Sequence, residues 1–466
     1  MANQRAHVVV VPYPSQGHIN PLLQFAKRLS SKGLKATLAT THYTVDTIHA
    51  QGVTIEPISD GFDQGGFSHA PNADIYLEKF KTHGSKTLSD LIKKHKDTSS
   101  PVTCVIYDSF LIWALDVVRE HGLVGASFFT NSATVCSIFC RASHGHFEVP
   151  LDPKQRPFSF PGLPVLEYED LPNFLTSAEV YPAYKKMVLN QFSNVREADW
   201  VFGNTFERLE GEALKAISSL WPAKLIGPMV PSFYLDGRIK CDKSYGAHLW
   251  RPIGSKCMDW LDQKPGGSVV YASFGSMAHM PPNQMEEVAS ALKECNKHFI
   301  WVVKESEQPK LPDKFLQSID DDKGLVITWC SQLEVLAHQA VGCFVTHCGW
   351  NSTLEALSVG VPLVAVPQWT DQPTNAKQVR DIWGVGVRAK MDEEGIVWRE
   401  DIKHCIREVM EGKKAEEIKK NTIKWKKLAK DAVDEGGSSD KNIEDFVGML
   451  VKWKGQTTLC NGHGQT

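Results

Sequence analysis

A histidine and an aspartate each follow a predicted buried strand in the first half of the chain. His18 comes after an apolar run at residues 8–11 and a turn at residues 12–17, and Asp108 comes after the apolar run "VTCVIY". Because parallel strands end at the same edge of a sheet, the two side chains can lie close together. Taken singly, each has a simpler interpretation: a turn histidine commonly bonds a backbone group, and an aspartate before a helical pattern commonly caps it.

The helix after His18 shows start signals two residues further along the chain. Asn20 is a favourable N-cap and Pro21 a favourable first helical residue, and apolar residues then recur with helical spacing. The pattern predicts that His18 lies in the loop between the strand and the helix.

A second group of polar residues surrounds the start of another predicted helix. Residues 342–346 are predicted as a strand, residues 347–350 as a tight loop and the following residues as a helix. A helix N-terminus presents free N–H groups and partial positive charge, which suit a diphosphate. His347, Asn351 and Ser352 add side-chain donors at the same place.

These residues need a scaffold in which many strands end at one edge. Strand-like apolar runs alternate with helical patterns in both halves of the chain, for example "KATLAT" and "VTCVIY", and later "SVVYASF", "HFIWVV" and "CFVTH". Runs that are apolar throughout are typical of parallel sheets covered by helices on both faces. We therefore predict an α/β fold with two doubly wound domains and a binding cleft between them.

The length also indicates two domains, because 466 residues exceed what a single hydrophobic core usually supports. The weakly patterned stretch at residues 239–256 is the predicted linker. It separates an N-terminal domain at residues 1–238 from a C-terminal domain at residues 257–439.

Composition narrows the class of partner. The chain has 51 basic and 54 acidic residues, and this balance argues against nucleic acid as the main partner. No stretch approaches the roughly 20 consecutive apolar residues of a membrane-spanning helix, and the N-terminus lacks the pattern of a signal peptide. The eleven cysteines lack CxxC spacing, which is typical of reduced thiols in a cytoplasmic protein.

The segment from Trp329 to Gln372 closely resembles the signature box of the plant small-molecule UDP-sugar glycosyltransferases. The resemblance extends through "PSQGHINP", "YDSF", "SFGSM" and the C-terminal helices, and is closest to the branch that glucosylates phenolic acids, steroids and terpenoids. It implies the GT-B fold, with two Rossmann-like domains that bind the acceptor and the UDP-sugar respectively. It also implies that a last helix, at about residues 440–454, packs back on the N-terminal domain.

The resemblance implies roles for individual residues. His18 corresponds to the general base that takes a proton from the acceptor, and Asp108 to the partner that orients it and stabilises the imidazolium. The donor-binding positions are Ser276, Trp329, Cys330, Gln332, His347, Trp350, Asn351, Ser352, Glu355, Asp371 and Gln372, and the acceptor-binding positions are Tyr13, Ser15, Phe110 and Trp369.

Several of these residues also have a purely structural interpretation. Ser352 and Glu355 match the S-x-x-E capping box, and Trp329 could belong to the core. Asp371 and Gln372, just before a proline, could be helix-start residues. The family resemblance favours the donor-binding interpretation, with Trp329 on the uracil ring, Glu355 on the ribose, and Asp371 and Gln372 on the hydroxyls of glucose.

No cofactor or metal ion is expected. His338, Cys343, His347 and Cys348 resemble a metal cluster in composition, but their spacing matches no common zinc pattern. The resemblance implies that UDP-glucose is the donor substrate and that the protein is a monomer.

The implied reaction is direct inverting transfer of glucose from UDP-glucose to a hydroxyl group of a hydrophobic small molecule, with His18 as base. Two alternatives stay open. The acceptor could be a carboxylic acid, which is already deprotonated near neutral pH and would give a glucose ester. The chain could also be a binding protein for a UDP-sugar or another small ligand, without catalysis.

Overall fold

The computed structural model describes residues 6–177, 182–247, 249, 256–277 and 279–462. Within these residues, two parallel β-sheets, each flanked by helices, form the framework of the molecule.

The first sheet is built from seven strands in the order β3-β2-β1-β4-β5-β6-β7, and every neighbouring pair is parallel. In β1, Val8 and Val10 pack into one hydrophobic cluster, whereas Val9 and Val11 pack into another. The strand is apolar from Val8 to Val11, as expected when both faces of the sheet are covered. The strands are β1 (His7–Val11), β2 (Lys35–Thr41), β3 (Val53–Ile58), β4 (Val102–Asp108), β5 (Val124–Phe129), β6 (Trp200–Gly203) and β7 (Lys224–Leu225).

The second sheet has six described strands in the order β10-β9-β8-β11-β12-β13, again all parallel. In its central strand, Phe344 faces one cluster and Val345 the other. The strands are β8 (Val269–Ser273), β9 (His298–Val302), β10 (Gly324–Ile327), β11 (Val341–Thr346), β12 (Leu363–Ala365) and β13 (Gly386–Arg388).

The helices follow the strands in both halves of the chain. Those of the first half are α1 (Gln16–Ser31), α2 (His42–Val45), α3 (Ala73–Lys96), α4 (Trp113–Glu120), α5 (Ala133–Ser143), α6 (Pro182–Asn190) and α7 (Glu207–Lys215). Those of the second half are α8 (Lys256–Leu261), α9 (Pro282–Glu294), α10 (Gln332–Leu336), α11 (Trp350–Val359), α12 (Gln372–Lys377), α13 (Arg399–Met410), α14 (Gly412–Val433) and α15 (Ser438–Gly462).

The last helix, α15, lies against the first sheet. Ser439 Oγ donates to the carbonyl of Gly227 at 2.6 Å, and Lys32, the C-cap residue of α1, forms an ion pair with Asp440 at 2.7 Å. Further along the helix, the buried ring of Phe446 packs edge-to-face on Phe202 of β6, with centroids 5.0 Å apart. These contacts join the end of the chain to the core of the first domain.

The start of α1 differs from the prediction. The helix begins at Gln16 with Ser15 as N-cap, so Pro21 lies inside the helix and His18 lies in its first turn, not in a loop. The N–H groups of His18 and Ile19 both donate to the carbonyl of Ser15, at 3.0 and 2.8 Å. This early turn is stabilised by packing, since Ile19 is fully buried, and that burial outweighs the local preference for a start at Asn20.

The predicted α/β fold with two doubly wound domains is confirmed. In both sheets the strand order reverses beside the first strand, between β1 and β4 and between β8 and β11. Such switch points leave a crevice at the carboxyl ends of the strands. The domain and linker boundaries stay a prediction, and residues 248 and 250–255 of the linker lie outside the described residues. No helix in the described ranges is both long and apolar enough to span a membrane.

Candidate active site

A cavity of about 290 Å³ lies between the carboxyl ends of the two sheets. Asp108, Tyr13 and Phe110 do not line this cavity but lie around His18. The predicted residues on its wall are Ser15, His18, Ser276, Trp329, Cys330, Gln332, His347, Trp350, Asn351, Ser352, Glu355, Trp369, Asp371 and Gln372.

His18 and Asp108 form a close pair at one side of the cavity. His18 Nδ1 lies 2.6 Å from Asp108 Oδ2. The carboxylate is fully buried, and it accepts the backbone N–H of Phe110 at 3.0 Å and that of Tyr13 at 3.4 Å. Because these bonds hold the carboxylate, it fixes the imidazole ring with Nδ1 toward the protein and leaves Nε2 as the nitrogen for a ligand.

Aromatic residues surround the imidazole ring of His18. The ring centroids of Phe110 and Tyr13 lie 4.8 and 5.5 Å from that of His18. Thr130 Oγ1 lies 3.3 Å from His18 Nδ1. Two of the predicted acceptor-binding residues are therefore next to the imidazole, in surroundings that suit an apolar molecule.

His347 is packed tightly at the end of β11. A Cβ atom at Gly275 would come within 2.7 Å of His347 Nε2, and one at Gly349 within 2.6 Å, so only glycines leave room for the ring. Burial lowers the pKa of His347 to about 4. The ring is therefore uncharged at neutral pH and interacts with a ligand through hydrogen bonding rather than through charge.

The N-terminus of α11 faces the cavity without a side-chain cap. Its N-cap is Gly349, which makes no side-chain hydrogen bond, and Ser352 stands inside the first turn. The capping-box interpretation of Ser352 and Glu355 is therefore wrong. The N–H groups of this turn have no capping side chain, and together with the helix dipole they form an anion-binding position.

Gln332 connects two of the predicted donor-binding residues. Its Nε2 donates to Ser352 Oγ at 2.9 Å and to Glu355 Oε2 at 2.7 Å. Burial raises the pKa of Glu355 to about 7, although hydrogen bonds with Gln332 and Tyr245 oppose the shift. Glu355 therefore changes its charge near neutral pH, inside the cavity.

Asp371 and Gln372 lie at the start of α12. Gln372 Oε1 accepts the N–H groups of Gln368 and Trp369, at 2.9 and 3.0 Å, so its amide nitrogen remains for a ligand. Asp371 Oδ2 accepts from Asn375 Nδ2 at 2.7 Å, and burial raises the pKa of Asp371 to about 6. Asp371 is the N-cap residue of α12 but makes no side-chain cap bond, so helix capping does not explain it.

The three remaining aromatic and sulfur-containing residues of the donor set occupy different surroundings. Trp329 is half-buried on the wall of the cavity. Cys330 is buried, with its Sγ 3.4 Å from the Tyr271 hydroxyl. Trp350 Nε1 donates to the backbone carbonyl of Asn204, in the first domain, at 2.7 Å. Trp350 therefore joins the two domains in addition to lining the cavity.

Other residues also line the cavity that were not singled out as individual binding positions, among them Thr130, Asn131 and Tyr245. Thr130 and Asn131 directly follow β5, and the rule that led to Asp108 could have found them. Asn131 also hydrogen-bonds Asp371 across the cleft. No local pattern singles out Tyr245, which lies in the predicted linker.

The segment around Tyr245 is held against the first domain. Lys27 Nζ of α1 donates to the carbonyl of Ser244 at 2.7 Å, and the N–H of His49 donates to that of Gly246 at 2.8 Å. Gly246 has a φ of +90°, and a Cβ atom there would lie 2.2 Å from the carbonyl oxygen of His49. These contacts place Tyr245 beside Glu355, with which it forms a hydrogen bond.

Within the part of the chain that the structure describes, no group of three or more His, Cys, Asp or Glu side chains is arranged to hold a metal ion.

The chain is similar to known glycosyltransferases in sequence. A family model described as UDP-glucoronosyl and UDP-glucosyl transferase matches residues 175–435, and one described as a glycosyltransferase N-terminal domain matches residues 4–58. The chain is 50% identical to UDP-glycosyltransferase 74B1 of Arabidopsis thaliana, over 96% of this chain and 98% of that protein. It is 49% identical to a flavonol 7-O-beta-glucosyltransferase of the same plant, over 97% and 99% of the two chains.

A solved structure is also similar over nearly the whole chain. The crystal structure of Os79 from O. sativa in complex with UDP superposes with a TM-score of 0.90 and 39% sequence identity. The match covers 95% of this chain and 100% of that chain.

Proposed function

Since the chain belongs to the family of UDP-glucoronosyl and UDP-glucosyl transferases, we propose that it transfers glucose from UDP-glucose to a hydroxyl group of a hydrophobic small molecule, with inversion at C1. Membership of this family makes it a UDP-glucose-dependent glycosyltransferase with the GT-B fold. The acceptor class, the base and the stereochemistry are our proposal.

The observation that carries the proposal is the His18–Asp108 pair, 2.6 Å apart, which places an oriented imidazole on the cleft opposite the uncapped N-terminus of α11. His18 Nε2 takes the proton from the acceptor hydroxyl, and the buried Asp108 carboxylate stabilises the resulting imidazolium. The acceptor oxygen forms a bond to C1 of glucose while the bond from C1 to the phosphate oxygen breaks. UDP leaves with the electron pair, and His18 later releases its proton to water.

The other wall of the cleft suits the donor. The N–H groups of α11, with Asn351, Ser352 and the neutral ring of His347, receive the diphosphate and stabilise the charge that develops on it. Trp329 offers a face to the uracil ring, and Glu355 accepts hydrogen bonds from the ribose hydroxyls.

The sugar itself is assigned to Asp371 and Gln372. The Asp371 carboxylate accepts hydrogen bonds, and the Gln372 amide nitrogen, which the backbone does not use, donates them. Asn131 lies close enough to Asp371 to contact the same sugar from the first domain.

The test is transfer by the wild type and by His18→Ala, with UDP-glucose and two acceptor classes, phenols and aromatic carboxylic acids. With phenols, kcat should fall at least about a hundredfold, the usual scale of a general base. UDP binding, measured by calorimetry, should be unchanged. Asp108→Asn is the matched second variant, because it keeps the size of the side chain but removes the charge that stabilises the imidazolium.

Four outcomes would contradict the proposal. Wild-type turnover of phenols by His18→Ala would show that His18 is not the general base. Transfer by the wild type to carboxylates only would identify an ester-forming enzyme. If no acceptor leads to release of UDP, the chain is a binding protein. An α-linked product, recognised by the coupling constant of its anomeric proton, would exclude inversion.

A further inference from the structure

Pro21 lies inside helix α1, beyond its first turn. A proline has no backbone N–H, so it cannot donate to the carbonyl group four residues earlier in a helix. In α1 that carbonyl belongs to Gly17, the residue immediately before His18. The sequence of the helix therefore leaves one acceptor without its helical donor, next to the proposed base.

This carbonyl is bonded from the other domain. Asn351 Nδ2, in the first turn of α11, donates to the oxygen of Gly17 at 2.6 Å. Because a carbonyl oxygen can only accept, the amide nitrogen of Asn351 must point toward α1, and the orientation of the side chain is determined.

The bond connects the two turns that matter most for the proposed reaction. Gly17 shares the first turn of α1 with His18, and Asn351 shares the first turn of α11 with the proposed diphosphate position. A primary amide carries two N–H donors and a carbonyl acceptor. With one donor on Gly17, Asn351 still has the other donor for a phosphate oxygen.

We propose that Pro21 is a positioning residue that keeps the Gly17 carbonyl available to Asn351. The resulting hydrogen bond holds the turn that carries His18 against the turn that receives the diphosphate. The inference rests on the proposed function, since it gives His18 and α11 the roles assigned there. In a chain with any other residue at position 21, the N–H of that residue would compete with Asn351 for the same oxygen.

Other bonds join the domains independently of this one. Trp350 Nε1 donates to the carbonyl of Asn204 at 2.7 Å, and Arg388 forms an ion pair with Asp170 at 2.6 Å. Loss of the Asn351–Gly17 bond should therefore misplace His18 relative to the donor without separating the domains.

The first experiment is Pro21→Ala in the full-length protein. The kcat for glucose transfer to a phenol should fall about five- to tenfold, the equivalent of one hydrogen bond. The dissociation constant for UDP should stay within about twofold, and Tm should not decrease, because alanine is the better residue in a helix interior. Pro282→Ala, at the start of α9 and outside the cavity, is the control and should have wild-type kcat.

The second experiment is a double-mutant cycle with Asn351→Ala. If Pro21 acts through Asn351, Pro21→Ala should have no further effect on kcat when Asn351 is already alanine. Pro21→Ser, which also restores an N–H, should reproduce the effect of Pro21→Ala in the wild-type background.

Several results would overturn the inference. One is a wild-type kcat in Pro21→Ala. Another is that Pro21→Ala lowers kcat equally whether residue 351 is asparagine or alanine. A third is a lower Tm and weaker UDP binding in both Pro21 variants, which would show that the role of Pro21 is structural. Failure of the proposed function is separate. If His18→Ala stays active, the base is wrong; if it is inactive while Pro21→Ala is unaffected, only the present inference fails.

Discussion

We predict that Glu355 makes the binding of UDP-glucose dependent on pH near neutrality. Its side chain is buried in the cleft, and burial raises its pKa from 4.5 to about 7. We propose that its ionised form accepts hydrogen bonds from the ribose hydroxyls. Protonation removes part of this accepting capacity, so donor binding should weaken as the pH falls through 7.

The magnitude follows from the ionised fraction. A carboxyl group with a pKa of about 7 is about 90% ionised at pH 8 and about 10% ionised at pH 6. If only the carboxylate binds the ribose well, the Kd for UDP-glucose should increase about tenfold between these pH values, or about 1.4 kcal/mol.

The same shift predicts a change in stability. Between pH 4.5 and 7 the folded chain holds a proton at Glu355 that the unfolded chain has lost, so the free energy of unfolding falls as the pH rises through this window. The full effect is about 3 kcal/mol. A Glu355→Gln variant has no group that titrates at this position, so its free energy of unfolding relative to that of the wild type should increase with pH.

The assay is calorimetric titration with UDP-glucose at several pH values, without acceptor. UDP-glucose is preferable to UDP because its diphosphate carries no terminal phosphate that titrates in this range. Glu355→Gln is the matched control, and the difference in slope between the two proteins isolates Glu355 from Asp371, which both contain. A flat Kd in the wild type, or the same slope in Glu355→Gln, would refute the reasoning.

Further predictions concern the sugar, the diphosphate and the core. Asp371→Ala should weaken the binding of UDP-glucose about five- to a hundredfold more than that of UDP in calorimetry, because a lost buried partner costs about 1–3 kcal/mol. Equal weakening of both would show that Asp371 does not bind the sugar. Chelators should leave transfer intact, since the N–H groups of α11 and Ser352 receive the diphosphate; metal-reversible loss of activity would contradict this. Burial lowers the pKa of His7 to about 4, so its stabilising contribution should decrease as the pH falls from 6.5 to 4. When the free energy of unfolding is measured in urea, that of His7→Gln should decrease by up to about 3 kcal/mol less than that of the wild type as the pH falls through this window. The same pH dependence in both proteins would show that His7 does not cause it.

Much of the fold could be predicted from apolar runs. The runs around β1, β4, β8 and β11 are apolar throughout, which indicates parallel strands buried on both faces. The carboxyl ends of parallel strands share one edge of the sheet, and this rule predicts from the sequence that His18 and Asp108 lie close together.

Helix starts were less predictable, and α1 shows why. Asn20 and Pro21 have the better local preferences for a helix start, but the helix begins five residues earlier, because an early turn buries Ile19 and bonds the carbonyl of Ser15. A capping preference of about 1 kcal/mol is smaller than the gain from such packing. The same applies to α11, where Gly349 and not Ser352 is the N-cap.

The sequence by itself determined the family, the two-sheet framework and the residue types at the strand ends, because these depend on patterns within short segments. Only the tertiary structure decided that Asn351 bonds Gly17, that Tyr245 lies beside Glu355 and that Trp350 joins the domains. It also decided the pKa values of buried groups. Such contacts link residues more than a hundred positions apart, and desolvation depends on every element packed around a group, so neither can be inferred from local sequence.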